Sequence, residues 1–262
     1  ETEGELKAAS ANGYYYLTKD VTLTSTWKPA DGVKLCLNGH TITTTANVDA
    51  IEVDQNVTFT LTDCKGTGKI THQYKGQDGR VYTAKGCGAY VNGGTFHLYG
   101  GTFSKNIGHN IGQNTNGGGV YVDANSTFTL SGSASITGNH ATSQGGGVHV
   151  GWSGTFNMYG GSITGNTVGG SGGGVCATNS STFNMYGGSI TGNSASQGGG
   201  VYAASTFNMH GGTISDNSAS QGGGVFVSTQ HFTVSGNAKI TDNTDNGGSE
   251  KNNVYLNYSG TS

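Results

Sequence analysis

The stretch GGGVHVGWSGTFNMYGGSITGN, residues 145–166, decides the fold, because the chain repeats it. It returns as GGGVCATNSSTFNMYGGSITGN at 172–193 and as GGGVYAASTFNMHGGTISDN at 198–217. Upstream it reads GGGVYVDANSTFTLSGSASITGN at 117–139, and downstream GGGVFVSTQHFTVSGNAKITDN at 222–243. A degenerate earlier copy runs from Gly86 through Phe96 and Phe103 to Asn106. The valines after the glycines, Val120, Val148, Val175, Val201 and Val225, are spaced by 28, 27, 26 and 24 residues. A fixed period of this size is the signature of a solenoid.

Within each copy three short runs alternate with period two, separated by Gly, Ser and Asn. The first carries the valines. The second carries Phe128, Phe156, Phe183, Phe207 and Phe232 on one face with Leu130, Met158, Met185, Met209 and Val234. The third centres on Ile136, Ile163, Ile190, Ile214 and Ile240. Three strands in about 25 residues leave no room for a helix, and a propeller blade needs about 40. The expected fold is all-β: a right-handed, single-stranded parallel β-helix with three short strands per coil and capped ends. Like then lies above like, with coils rising by about 4.8 Å. Asn106, Asn139, Asn166, Asn193, Asn217 and Asn243 share one corner and are expected to form a structural Asn ladder.

Outside the clear repeats the pattern weakens. Residues 1–85 read as an N-terminal cap and irregular coils, with a short helix over Glu3 to Ser10 and a protruding loop near 72–85. Residues 86–262 read as regular Gly-rich coils ending in a closing strand over Asn253 to Tyr258, in one continuous domain.

The composition excludes several classes. Among 262 residues Gly occurs 49 times and Pro once, without the three-residue period of collagen. Charged residues are 10% of the chain and the net charge is −3, with no basic run for a phosphate backbone, so nucleic acid is not an expected partner. No apolar stretch approaches the roughly 20 residues of a membrane-spanning helix, so membrane insertion is not expected either.

The Gly-Gly-Gly-Val and Ile-x-x-Asn elements resemble the Gly-Gly-Ala-Ile and Phe-x-x-Asn repeats of the chlamydial polymorphic membrane proteins, and the Gly-rich repeats of other bacterial surface adhesins. Phe103-Ser104-Lys105-Asn106 matches the second element literally. The resemblance covers roughly residues 86–243, within the broad pectate-lyase-like group of β-helices. It implies a secreted or cell-surface bacterial adhesin or passenger, a monomeric segment of a larger chain, whose partner is a glycan or a host surface protein.

Candidate chemistry is sparse. Residues 124–215 contain no Asp, Glu, Lys or Arg, so those coils carry no carboxylate for acid–base work. A polysaccharide lyase or glycoside hydrolase would have to use the N-terminal acids Asp49, Glu52 and Asp54, near Lys65 and Arg80. Neither catalytic residues nor a cofactor are expected, and the scattered histidines lack metal-ligand spacing. Cys36 and Cys64, 28 residues apart, are about one coil apart and suit a disulfide. Cys176 is expected to face outward.

The better candidates are outward aromatic columns, which suit sugar rings beside polar groups. One holds Tyr90, Tyr121, His149, Tyr202 and Phe226; the other holds Tyr99, Tyr159, Tyr186 and His210. Thr127, Thr155, Thr182 and Thr206 add a hydroxyl column, with Thr or Asn two residues on, which ordinary β-propensity explains and which ice binding would also use. A passive spacer that binds nothing is the remaining alternative.

Overall fold

A computed structural model describes residues 2–75, 81–82, 86–111, 114–229 and 231–257. Three long parallel sheets run the length of the chain, named here for their inward side chains. The phenylalanine sheet has nine strands, from Tyr14–Tyr16 and Lys34–Cys36 through Thr155–Met158 to Phe232–Val234. The isoleucine sheet has nine, from Val21–Leu23 to Lys239–Thr241, and the valine sheet eight, from Ile51–Val53 to Val254–Leu256. Each repeat contributes one strand to each sheet, so the chain is a parallel β-solenoid of about eight coils.

Register follows the repeats without slippage. Val120 pairs with Val148, Val148 with Val175, and Val201 with Val225. Phe156 pairs with Phe183, and Ile163 with Ile190. The inward files are buried up to the last coil, where Phe232 and Ile240 are partly covered and Val234 is exposed, and the Phe156, Phe183 and Phe207 rings stack at centroid spacings of 4.8 Å. A one-residue slip would turn every apolar side chain outward, which is why the register is held so strictly.

The triple glycine has a steric cause. Gly145 has φ of +65°, and a Cβ on Gly147 would lie 2.6 Å from the Gly174 carbonyl oxygen and 2.9 Å from Ile163 Cγ2. Only a residue without a side chain lets successive coils approach so closely there. Just before this turn lies a fourth short parallel sheet, formed by His140–Ala141, Thr167–Val168, Ser194–Gln197 and Ser218–Gln221. Ala141, Val168 and Ala195 form a small buried cluster beside it.

The Asn corner is a continuous ladder. The Asn139 backbone N–H and Nδ2 both donate to Asn166 Oδ1 at 2.9 Å, and Asn166 Nδ2 donates to the Ile136 carbonyl at 2.9 Å. The pattern runs from Asn106 to Asn243 and extends beyond both. Asn253 Oδ1 accepts from Asn243, and His72 Nδ1 lies 2.7 Å from Asn106 Oδ1.

The N-terminal end is covered by the helix Glu3–Lys7, capped by Thr2, with Leu6 buried against the core. Near the expected protruding loop, Lys69–His72 is still a solenoid strand, and Tyr74–Lys75 pairs antiparallel with Val81–Tyr82. Positions 76–80 and 83–85 of that loop lie outside the described residues, as does Tyr258. Val254–Leu256 pairs with Val225–Val227 as the last strand of its sheet, with its side chains exposed. Among the described residues no helix is long and apolar enough to cross a membrane.

Candidate functional site

Alternation along Thr155–Met158 buries Phe156 and Met158 and turns Thr155 and Asn157 outward, with Tyr159 just beyond the strand. The next coil repeats this with Thr182, Asn184 and Tyr186, and the following one with Thr206, Asn208 and His210. Stacking in register therefore lays hydroxyl, amide and aromatic columns side by side on the outer face of the phenylalanine sheet. Tyr159 and Tyr186 stack with centroids 4.8 Å apart and planes 8° apart, and Tyr186 and His210 stack at 5.2 Å. His210 Nδ1 lies 2.9 Å from Ser235 Oγ. The amides form a second, outer ladder: Asn208 Nδ2 donates to Asn184 Oδ1 at 3.0 Å, and Asn184 Nδ2 to Asn157 Oδ1 at 2.9 Å.

Tyr99 heads the aromatic column two coils before Tyr159 and lies beside His97, with centroids 5.8 Å apart and planes 8° apart. Burial lowers the His97 pKa by disfavouring the charged ring. Tyr99, Tyr159 and Tyr186 are 43%, 55% and 43% exposed, among the large side chains the solenoid leaves in solvent. Between Tyr99 and Tyr159 the column is interrupted by Ser131. The Ser131 N–H donates to the Leu98 carbonyl, and the Tyr159 N–H to the Leu130 carbonyl, which places Ser131 in the tyrosine register. Asn157 is the Asn two residues on from Thr155 in the hydroxyl column, while Ser131 is a residue that the sequence reading misses. Its signal was a serine where the neighbouring repeats carry tyrosine.

The other aromatic column is a correction. Tyr90, Tyr121, His149, Cys176, Tyr202 and Phe226 do lie in register on the outer side of the valine sheet, but that side is largely covered. Tyr121, His149, Cys176 and Phe226 are buried, and only Tyr90 and Tyr202 are partly accessible. The glycine turn folds back on these side chains: a Cβ on Gly172 would lie 2.6 Å from Cys176 Cβ, and one on Gly117 2.8 Å from Tyr121 Cβ. Stacking along the column, at 5.4 Å for Tyr90–Tyr121 and 5.0 Å for Tyr121–His149, closes the ring faces. Burial lowers the His149 pKa to about 4, only weakly opposed by Asp123, and raises those of Tyr121 and Cys176. Burial and then the Asp123 hydrogen bond raise that of Tyr90, whose hydroxyl donates to Asp123 Oδ2 at 2.8 Å. These groups form a second packed layer.

The N-terminal acids are engaged in local structure. Lys28 Nζ lies 3.0 Å from both Glu52 Oε2 and Asp54 Oδ1, an ion pair that raises the lysine pKa, with the Asp54 hydrogen bond as the main cause. Asp49 Oδ1 accepts from the Cys87 backbone N–H at 2.8 Å and from its thiol at 3.1 Å. Arg80, expected near these acids, lies outside the described residues. Among the described residues no group of three or more His, Cys, Asp or Glu is placed to hold a metal ion.

Cys36 and Cys64 form a disulfide, with Cα atoms 6.5 Å apart. Cys36 pairs with Thr62 in the sheet, so the bridge reaches two residues along the next coil. Cys87 and Cys176 are free and buried.

In comparison with known proteins, no family model, no curated protein and no solved structure matches this chain, so the geometry of its outer faces carries the functional argument.

Proposed function

We propose that this chain is a glycan-binding module of a secreted or cell-surface bacterial protein, binding through the outer face of the phenylalanine sheet. The observation that carries the reading is the exposed column of Tyr159, Tyr186 and His210, flush with the amide ladder of Asn157, Asn184 and Asn208. Apolar C–H faces of sugars pack on aromatic rings, while amides and hydroxyls serve their hydroxyl groups. Residues 124–215 carry no charged side chain, which favours a neutral glycan over an acidic one.

Two further observations support the location. The Gly-rich repeat resembles those of the polymorphic membrane proteins and bacterial adhesins, and the Cys36–Cys64 bridge suits an oxidising compartment. The enzyme reading is weaker, because Glu52 and Asp54 share Lys28 as ion-pair partner.

The test is binding to immobilised neutral polysaccharides, with parallel assays for reducing ends and unsaturated products. The wild-type chain is expected to bind without turnover, and the triple variant Tyr99→Ala, Tyr159→Ala, Tyr186→Ala to lose binding while keeping its melting temperature within a few degrees. Turnover abolished by Asp54→Ala would establish the enzyme instead. Absence of any binding would leave a spacer.

A further inference from the structure

The tyrosine column is broken at one place, and the break has the dimensions of a ring. Tyr99, Ser131 and Tyr159 occupy the same position in three successive coils, as the ladder hydrogen bonds to Leu61, Leu98 and Leu130 carbonyls require. With a coil rise of about 4.8 Å, the two tyrosines stand about 9.6 Å apart across Ser131. A flat ring placed midway would lie at nearly the same distance from each wall as Tyr159 lies from Tyr186, 4.8 Å. The Tyr186 side of Tyr159 is closed by stacking. Its Ser131 side is not, and Tyr159 is accordingly more exposed than either Tyr99 or Tyr186.

The amide ladder ends at the same coil. Each donor points towards the preceding coil, Asn208 to Asn184 and Asn184 to Asn157. Continuing that geometry turns Asn157 Nδ2 towards the coil of Thr129, its register partner, which is also the coil of Ser131. Thr129, itself buried, carries a hydroxyl where the three following coils carry the amides of Asn157, Asn184 and Asn208. The ladder's terminal donor and the bare tyrosine face are thus brought to one coil by independent columns. On the opposite wall His97 lies beside Tyr99, its Nδ1 without a hydrogen-bond partner.

We propose that the gap between Tyr99 and Tyr159, floored by Ser131, is a subsite that takes one pyranose ring of a neutral glycan, inserted between the two tyrosine faces. This rests on the glycan-binding reading and specifies where on the face it acts. A pyranose presents C–H groups on both faces and hydroxyls around its rim. The tyrosines meet the faces, while Ser131 Oγ and Asn157 Nδ2 meet the rim. Along residues 124–215, which include Ser131, Asn157 and Tyr159, a charged sugar would find no counter-ion.

The register also supplies the test. Ser131→Tyr fills the gap with the residue the neighbouring repeats carry, and so continues the stack without disturbing the core. Tyr202→Ala, on the outer side of the valine sheet, is the control. Calorimetric titration would use neutral hexasaccharides of β-linked glucose, xylose and mannose, with melting temperatures as the check on folding. The wild type binds at one site. Ser131→Tyr melts no lower than wild type and binds at least about tenfold more weakly, the loss expected for removing an aromatic sandwich. Tyr202→Ala retains binding within about threefold, where each 1.4 kcal/mol would be tenfold. Ser131→Tyr binding as well as wild type would overturn the subsite alone. Tyr202→Ala losing as much affinity as Ser131→Tyr would place binding away from this column and overturn the subsite. A wild-type chain that binds none of the three sugars, nor any neutral polysaccharide, overturns the functional reading and the subsite together.

Discussion

Asn166 Nδ2 donates to Asn193 Oδ1 at 3.0 Å, and the Asn166 backbone N–H reaches the same oxygen at 2.9 Å. One buried amide thereby ties two coils together and satisfies the turn that joins them. Replacing Asn166 with Ala leaves the Asn139 N–H without its acceptor and removes a donor from the Ile136 carbonyl, all in a corner that water does not enter. Orphaned buried groups cost about 1–3 kcal/mol each, so Asn166→Ala is expected to lose ~3 kcal/mol in denaturant unfolding. A loss below about 1 kcal/mol would mean the ladder contributes little.

His149 makes stability depend on pH. Its imidazole has an ordinary pKa of 6.5 unfolded and one of about 4 in the folded solenoid, because burial disfavours the cation. The unfolded state therefore binds more protons between these values. Stability is full above pH 6.5 and falls as the pH drops towards 4, by up to about 3 kcal/mol from this residue. His149→Phe supplies a ring like that of Phe226 in the same column, and removes a buried Nδ1 that has no partner. It is expected to flatten this part of the pH–stability profile measured by urea unfolding; an unchanged slope between pH 6.5 and 4 would refute the assignment. The contribution of Glu3, whose pKa Lys7 lowers to about 2, disappears only at lower pH, between 4.5 and 2.

The residue before each ladder asparagine has positive φ. Glycine holds that place at Gly138, Gly165 and Gly192, but Lys105, Asp216 and Asp242 adopt 58°, 57° and 55° there. A Cβ on Gly138 or Gly165 would meet nothing within 4 Å, so the backbone conformation alone sets the preference. Asp216→Gly and Lys105→Gly are expected to raise stability by ~0.5–1 kcal/mol each, and Gly165→Ala to lower it by about 1 kcal/mol. Thermal melting reads both signs.

The Cys36–Cys64 bridge closes a loop of 28 residues beside the N-terminal end of the solenoid. Reduction, or Cys36→Ser with Cys64→Ser, is expected to cost about 2–4 kcal/mol. Because coils are stabilised by their neighbours, the loss should begin at that end. Hydrogen exchange should show protection falling first over Lys34–Cys36 and Thr58–Thr62, and a uniform loss across all coils would contradict this.

The coil architecture was legible because Val, Phe and Ile recur at fixed intervals, and strand alternation then decides which side each residue takes. What alternation does not encode is whether an outer side is covered. Tyr121 and His149 follow the same rule as Tyr159, yet the glycine turn of their own coil closes over the former. The strands Ser194–Gln197 and Ser218–Gln221 lack β-branched and aromatic residues and read as turns; they extend because Ala195 and Ala219 stack from coil to coil. The ladder's ends were hidden for a similar reason. Asn253 follows Asn243 by ten residues rather than a full repeat, and His72 sits one position closer to its strand than Asn106 does, its longer ring covering the difference.

The claim on which the functional account depends is that sugar meets the tyrosines of the phenylalanine sheet and leaves those of the valine sheet untouched. Fluorine NMR of protein labelled with 3-fluorotyrosine, titrated with a neutral hexasaccharide that binds, tests this in one experiment. The account predicts that the Tyr99 and Tyr159 resonances move together and saturably while those of Tyr121 and Tyr202 stay in place. Saturable shifts confined to the valine-sheet tyrosines, or to none of these four, would contradict it.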